Sequence, residues 1–202
     1  MSNVPEILAE RIGPLVHPLH EAFERARHRL AVDYAGLATS DQDWLRTHAM
    51  RGLVYQELRG PVALPEPWRV TGNHRLNGMV NLTYSTGEIT LRAVHKLGSS
   101  TPHAGGNQAR RAFYTNQAIA DMADSQMIET HRMLLCWDDP NREGPFELDI
   151  IRPLNAGSIT KKVRADIAIP LPRSRTAFES LSFNTDDDAE ELHYEIDIAG
   201  TQ

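Results

Sequence analysis

Residues 80–95, VNLTYSTGEITLRAVH, alternate apolar and polar side chains on both sides of a short turn. From residue 80 to residue 84 every second residue is apolar, and the same holds from residue 89 to residue 93. This period of two is typical of β-strands that have one buried face. Because Ser85-Thr86-Gly87 separates the two runs, the stretch predicts a β-hairpin.

The same alternation continues along the chain and predicts a sheet. The apolar run at residues 133–137 is typical of a central strand that is covered on both faces. We expect its Cys136 to be buried and unreactive, and we expect a core that includes Leu82, Leu91, Leu135, Trp137 and Ile150. The predicted strands lie near residues 68–73, 78–84, 88–96, 131–138, 146–152, 162–169 and 192–198.

The first 60 residues predict helices instead. Apolar residues recur at spacings of three and four, and Gly13-Pro14 and Pro18 predict a break after a short first helix. A further helix begins after the capping residues at 39–41 and ends at Gly60-Pro61. One side of that helix would carry Trp44, His48, Arg51, Tyr55 and Leu58.

Two later segments complete the fold prediction. Asn107 is a suitable N-cap for a helix from Gln108 to about Met127, and residues 170–188 are typical of a long polar loop. Helices followed by strands indicate an α+β domain, with N-terminal helices packed on a mostly antiparallel sheet and one inserted helix. The predicted organisation is a single domain over residues 1–202, helical at 1–60, β-rich at 67–171, with a polar loop and an acidic C-terminal strand or tail at 172–202.

Composition excludes several classes of protein. With 41% hydrophobic and 24% charged residues, the chain is neither wholly disordered nor collagenous. A single cysteine cannot form an internal disulfide, and no apolar run reaches the length of a membrane span. The N-terminus lacks the basic and apolar regions of a signal peptide. We therefore expect a cytoplasmic protein with no membrane partner.

Charge is distributed unevenly along the chain. The net charge is −6, but residues 186–197 alone hold seven acidic residues and no lysine or arginine, and the first 185 residues therefore carry a net charge of +1. Residues 89–120 contain no acidic residue at all, although four lysines and arginines lie among them. This asymmetry is typical of an anion site and an acidic tail that competes for it, although two solvated surfaces would show it equally.

The acid-free stretch is the strongest candidate for a binding site. A loop with hydroxyl side chains and glycines leads into the predicted helix, where backbone N–H groups and arginines favour phosphate. An exposed Tyr114 could stack a base, whereas Phe113 is expected to be buried. The stretch matches neither a Walker A loop nor a dinucleotide fingerprint, so we expect no cofactor. The predicted anion-binding residues are Arg92, Lys96, Ser99, Ser100, Asn107, Arg110, Arg111 and Tyr114.

Three hypotheses of function follow. The leading one is a non-enzymatic binding or regulatory protein of the bacterial cytoplasm that contacts nucleic acid, another polyanion or an acidic protein through residues 92–114. The second is a metal-dependent nuclease or phosphodiesterase, whose metal would be held by Asp138, Asp139, Glu147 and Asp149, helped by Glu57 and by Lys161 or Lys162. The third is a protein-interaction module that forms a homodimer through its N-terminal helices. Outside the second hypothesis the sequence predicts no catalytic residue and no metal site, because no HExxH or GxSxG motif occurs.

The acidic C-terminal stretch leads to the first testable prediction. If it competes with a polyanion, truncation after Thr185 should tighten polyanion binding at low salt. The effect should shrink as salt rises, because the Debye length falls from about 10 Å at 0.1 M to about 3 Å at 1 M. Titration of a labelled oligonucleotide at several salt concentrations measures this, and equal affinities of the two proteins at low salt would contradict it.

Overall fold

Three helices precede a six-stranded sheet in the computed structural model, which describes residues 4–37, 43–75, 78–85, 87–96, 100–117, 130–139, 144 and 146–181. Two short helices lie later in the chain. The helices are α1 (Val4–Ile12), α2 (Val16–Asp33), α3 (Asp43–Arg59), α4 (Gln108–Phe113) and α5 (Arg175–Glu179). The strands are β1 (Trp68–Thr71), β2 (Asn81–Tyr84), β3 (Ile89–His95), β4 (His131–Asp138), β5 (Glu147–Pro153) and β6 (Ala165–Pro170).

The break between the first two helices lies where the glycine and prolines predict it. Residues Gly13–Leu15 form a single 3₁₀ turn with proline near its start. Pro18 falls in the first turn of α2, where a missing N–H costs nothing because that group has no partner within the helix. One apolar side of α2 is buried from Val16 to Leu30.

The strands follow one another across the sheet in the order β1-β2-β3-β4-β5-β6. Every neighbouring pair is antiparallel except β3 and β4, which are parallel. The predicted α+β class is confirmed, with helices at the N-terminus and a mostly antiparallel sheet. The two strands of the predicted hairpin, β2 and β3, pair as expected, with Leu82 opposite Leu91.

The parallel pair needs a connection that crosses the sheet, and α4 lies in it. The predicted helix from residue 108 to residue 127 is wrong in extent, because α4 ends at Phe113. Beyond it Asn116 donates from its side chain to the carbonyls of Arg132 and Pro153, at 2.9 and 2.7 Å. These bonds tie the chain to the ends of β4 and β5, a position that a continuing helix could not hold. Residues 118–129 lie outside the described part of the chain.

Two apolar clusters occupy the two faces of the sheet. The larger one packs the N-terminal helices against the face that includes Leu82, Leu91, Leu135, Trp137 and Ile150, so the predicted core is confirmed. The smaller cluster lies on the opposite face, where the connection between β3 and β4 covers the sheet. Its buried members are Val94, Ala104, Tyr114, Leu134, Cys136 and Ile151.

The lone thiol belongs to the smaller cluster. Cys136 is fully buried, as expected, and burial raises the pKa of its thiol to about 12. The nearby Asp149 carboxylate raises that pKa further, whereas Lys96 lowers it. A thiol with such a pKa stays protonated at neutral pH and is a poor nucleophile.

The predicted loop over residues 170–188 contains a short helix, which is a correction. Ser174 caps α5 by accepting a hydrogen bond from the N–H of Ala177 at 3.0 Å. Phe178 is buried close to Gly13, so an apolar contact and a cap together order a segment whose composition is polar. The predicted strand at 192–198 lies outside the described residues.

Leu135 provides a test of the core. It lies at the centre of β4 between Ala93 and Ile150 and is 1% exposed. Leu135→Ala should lower the free energy of unfolding by about 2–5 kcal/mol, because a cavity replaces the lost methyl groups. Chemical denaturation measures this, with Ile159→Ala as the matched control because Ile159 is 92% exposed. An unchanged midpoint for Leu135→Ala would contradict the assigned core.

Candidate anion-binding site

The candidate site lies at the end of the sheet where the parallel strands β3 and β4 finish. Helix α3 runs along this end. Arg46, in its first turns, donates to Asp139 just beyond β4 at 2.9 Å, and Tyr55, further on, stacks on His74 beyond β1 at 4.0 Å between ring centroids. Between these contacts the Cβ of Arg51 lies next to Gly78, whose positive φ of 64° shapes the connection from β1 to β2.

Three arginines from three different elements meet here. Arg51 comes from α3, Arg92 from β3 and Arg110 from α4. Burial lowers the pKa of Arg51, and the charge on Arg110 lowers it further. Burial likewise lowers the pKa of Arg92, which Arg110 and then Arg51 lower further. The positive charge of Arg110 therefore disfavours the charged forms of both Arg51 and Arg92. We call these three residues the arginine cluster.

Two aromatic rings of α4 and its C-cap support the cluster. The guanidinium of Arg92 lies over the ring of Phe113 at 5.7 Å, and that of Arg110 lies over the ring of Tyr114 at 5.9 Å. Both distances are within the range of a cation–π contact, which fixes the position of a guanidinium without neutralising its charge.

The arginine cluster has no carboxylate partner among the residues that the structure describes. Neighbouring cations, in contrast, form ion pairs with carboxylates. Arg27 and Arg46 both bond to Asp139, each at 2.9 Å. Lys96 lies 2.6 Å from Asp149 and 3.5 Å from Glu147. The three arginines thus differ from these neighbouring cations, whose charges are offset by carboxylates of the protein.

Polar atoms without partners accumulate at the same place. Within the described part of the chain, the Nε atoms of Arg51 and Arg110 and the hydroxyl of Tyr114 are buried and make no hydrogen bond. Burial raises the pKa of Tyr114, although the nearby Arg110 and Arg92 lower it, so the hydroxyl stays protonated. Each of these groups can donate a hydrogen bond, and a buried donor without an acceptor costs about 1–3 kcal/mol. A ligand that brings acceptors could satisfy them.

Two histidines border the arginine cluster. Arg51 donates to Nδ1 of His48 at 2.8 Å, and because arginine can only donate, that nitrogen carries no proton. Burial lowers the pKa of His48, and the Arg51 charge adds to the effect. Burial also lowers the pKa of His95, where Asp138, at 3.8 Å, opposes it. Both imidazoles are therefore neutral at pH 7.

Of the predicted binding residues, the structure brings Arg92 and Arg110 together. Lys96 is on the same face of the sheet but is only 7% exposed and pairs with Asp149 and Glu147. Burial lowers the pKa of Lys96, but the bonds and charges of these two carboxylates outweigh it, so the net shift is upward. The Lys96 charge is therefore neutralised by these two carboxylates of the protein.

The remaining predicted residues are scattered. Asn107 caps α4 by accepting the N–H of Arg110 at 3.0 Å, while Arg111 and Ser100 are exposed. Ser99 lies outside the described residues. The expected orientation of the aromatic pair is wrong, since Tyr114 is fully buried and Phe113 is only half-buried. The chain turns out of α4 at Tyr114 and directs that ring into the smaller apolar cluster, so Tyr114 can offer its hydroxyl but not its ring face.

The sequence interpretation missed three residues of the site, which are Arg51, His48 and His95. The first two were placed correctly on one side of α3, together with Trp44 and Tyr55. Nothing in that stripe indicated that it would lie against the end of β3, because the contact depends on how the helix packs on the sheet.

Most acidic residues of the nuclease hypothesis are paired with cations in the described part of the chain. Asp139 is held by two arginines, Asp149 and Glu147 by Lys96, and Glu57 by Arg25 and Arg29. Burial raises the pKa of Glu57, but the two arginines outweigh it and leave that pKa below its usual value. The described residues contain no group of three or more metal-ligating side chains, and Lys161 and Lys162 are exposed.

Comparisons with protein-family models, with curated proteins and with solved structures each found no match for this chain. In the described residues no helix combines the length and the apolar character that crossing a membrane requires. The argument about function therefore rests on the site itself.

Removing one of the unpaired charges should not weaken the fold. We expect Arg92→Met to leave the free energy of unfolding unchanged or to raise it by up to about 1 kcal/mol, because methionine fills the space over Phe113 without the repulsion. Lys96→Met should destabilise the protein, since it leaves Asp149 without its partner. Thermal denaturation of both variants at low salt compares them, and a clear loss of stability in Arg92→Met would contradict the repulsion inferred here.

Proposed function

We propose that this protein binds phosphate groups of a polyanion, namely a nucleic acid, at the arginine cluster, and that it acts as a non-enzymatic binding or regulatory protein in the cytoplasm. The observation that carries the proposal is the position of Arg92 and Arg110 over the adjacent rings of Phe113 and Tyr114, with Arg51 of α3 at the same end of the sheet and no carboxylate partner for the three arginines among the described residues.

The chemistry of the site favours an anion that only accepts hydrogen bonds. Phosphate oxygens are such acceptors, and guanidinium groups match their geometry with paired N–H groups. A bound phosphate would offset the repulsion among the three arginines and supply acceptors to the unpartnered Nε atoms of Arg51 and Arg110. Both effects act only in the complex, so they contribute to affinity rather than to folding.

Charge around the site supports a ligand with more than one phosphate. The N–H of Ala104, in the connection between β3 and β4, donates to the carbonyl of Ala156 at 2.8 Å. This bond joins the connection to the loop between β5 and β6, where Lys161, Lys162 and Arg164 are exposed. A chain of phosphates could contact these exposed cations beyond the arginine cluster, as nucleic acids do.

The two other hypotheses receive less support. Hydrolysis with a bound metal needs carboxylates that converge, and those described here are paired with arginines and a lysine. Dimerisation through the N-terminal helices stays a prediction, which sedimentation of the free protein would test.

Two adjacent arginines of α4 provide a matched test. Arg110 belongs to the arginine cluster, whereas Arg111 is exposed. Arg110→Ala should weaken binding of a fluorescein-labelled oligonucleotide at least about tenfold, as expected for a charge-assisted hydrogen bond. Arg111→Ala should weaken it less than about fivefold, because an exposed charge contributes little. Fluorescence anisotropy at low salt measures both, and circular dichroism verifies that the variants fold.

The salt dependence completes the test. Wild-type affinity should fall linearly on a logarithmic scale as salt rises, and Arg110→Ala should reduce the slope. Equal losses in the two variants would show a diffuse basic surface instead of a built site. An absence of oligonucleotide binding by the wild type at low salt would reject the proposal.

A further inference from the structure

We infer that the nucleic acid is single-stranded and that one of its bases stacks on Trp44. The inference rests on the proposed function, since it places the phosphates at the arginine cluster. It adds a second contact, of different chemistry, on the side of α3 that carries Arg51.

Trp44 is the exposed tryptophan of this chain. Its exposed fraction is 67%, whereas Trp68 and Trp137 are 4% and 2% exposed. The exposed indole of Trp44 offers a large apolar ring that a ligand at the neighbouring cationic site could cover.

A series of contacts links Trp44 to the arginine cluster. The rings of Trp44 and His48 pack at 6.2 Å between centroids with an angle of 75°. His48 in turn accepts a hydrogen bond from Arg51 at 2.8 Å. Trp44 and Arg51 are seven residues apart, which is two helical turns, so they lie on the same side of α3 about 10 Å apart. An indole and a phosphate-binding group are thus held at a fixed separation.

The other aromatic residue of this side of α3 is already engaged. The ring of Tyr55 stacks on His74 at 4.0 Å with an angle of 6°, and the guanidinium of Arg59 lies 5.6 Å from the same ring. Both contacts are internal to the protein. Trp44 is therefore the ring on this helix that a base can cover without displacing an existing stack.

A single strand fits this arrangement better than a duplex does. In a duplex the faces of each base are covered by its neighbours, so an indole cannot reach them without unstacking the helix. In a single strand the bases are accessible, and proteins that bind such strands combine a cationic path for the backbone with aromatic rings for the bases. Trp44 and the arginine cluster provide these two elements, one on each side of His48.

The test uses three probes and three variants of the full-length protein. The probes are a twelve-nucleotide oligothymidylate, a twelve-base-pair duplex and inorganic polyphosphate, which carries the charge without any base. The variants are Trp44→Ala, Trp44→Phe and Val32→Ala. Val32→Ala is the matched control, because Val32 is a second exposed apolar residue, 64% exposed, on α2.

We expect Trp44→Ala to lower the affinity for oligothymidylate about 5- to 150-fold, the range for losing one stacked base. Trp44→Phe should retain most of that affinity, and Val32→Ala all of it. Affinity for polyphosphate should be the same in all three variants and the wild type. Oligothymidylate should also quench the tryptophan fluorescence of the wild type, and this quenching should vanish in Trp44→Phe, because the two other tryptophans are buried.

Other results would overturn the inference. Equal losses for oligothymidylate and polyphosphate in Trp44→Ala would show that Trp44 supports the fold of the site. Tighter binding of the duplex, unaffected by Trp44→Ala, would show that double-stranded nucleic acid is the ligand. A lower mass in sedimentation for Trp44→Ala, with unchanged binding, would show that Trp44 lies in a dimer interface. In these cases the proposed function stands, whereas it fails together with the inference if the wild type binds none of the three probes.

Discussion

The parallel pairing of β3 with β4 is the constraint on which the candidate site depends. Two parallel neighbours cannot be joined by a tight turn, so the chain has to cross the sheet between them. That crossing brings α4 onto the face opposite the N-terminal helices and sets Arg110 beside Arg92. A tight turn between β3 and β4, which only an antiparallel pair allows, would place no helix on this face.

Ion pairs distinguish two groups among the less exposed cations of the described residues. Those that close contacts between elements, such as Arg27 on α2 and Lys96 just after β3, have carboxylates within hydrogen-bond distance. The arginine cluster has none in the described part of the chain, although burial makes the lack of a partner costly. The paired cations are neutralised, whereas the arginine cluster is not. The electrostatic potential at this end of the sheet is therefore positive.

The sequence was informative wherever local periodicity decides structure. Six of the predicted strands and the break at Gly13-Pro14 follow from alternation and from glycine and proline chemistry, and the structure has them within a few residues. It was less informative wherever a distant contact decides. Asn116 ends the α4 segment by bonding to two other strands, and Tyr114 turns inward because a cluster on the sheet receives it. Arg51 joined the site for the same reason, since its approach to Arg92 depends on packing between elements far apart in the chain.

The burial of the only cysteine has a practical consequence for chemistry done on this protein. Cys136 is enclosed by the smaller apolar cluster and its thiol remains protonated at neutral pH. Maleimides and iodoacetamides react with accessible thiolates. The native protein should therefore react with them very slowly. A cysteine introduced at an exposed position of α4 would then be the single site of attachment. Spectroscopic labels could thus report from the edge of the arginine cluster without first engineering the natural thiol away.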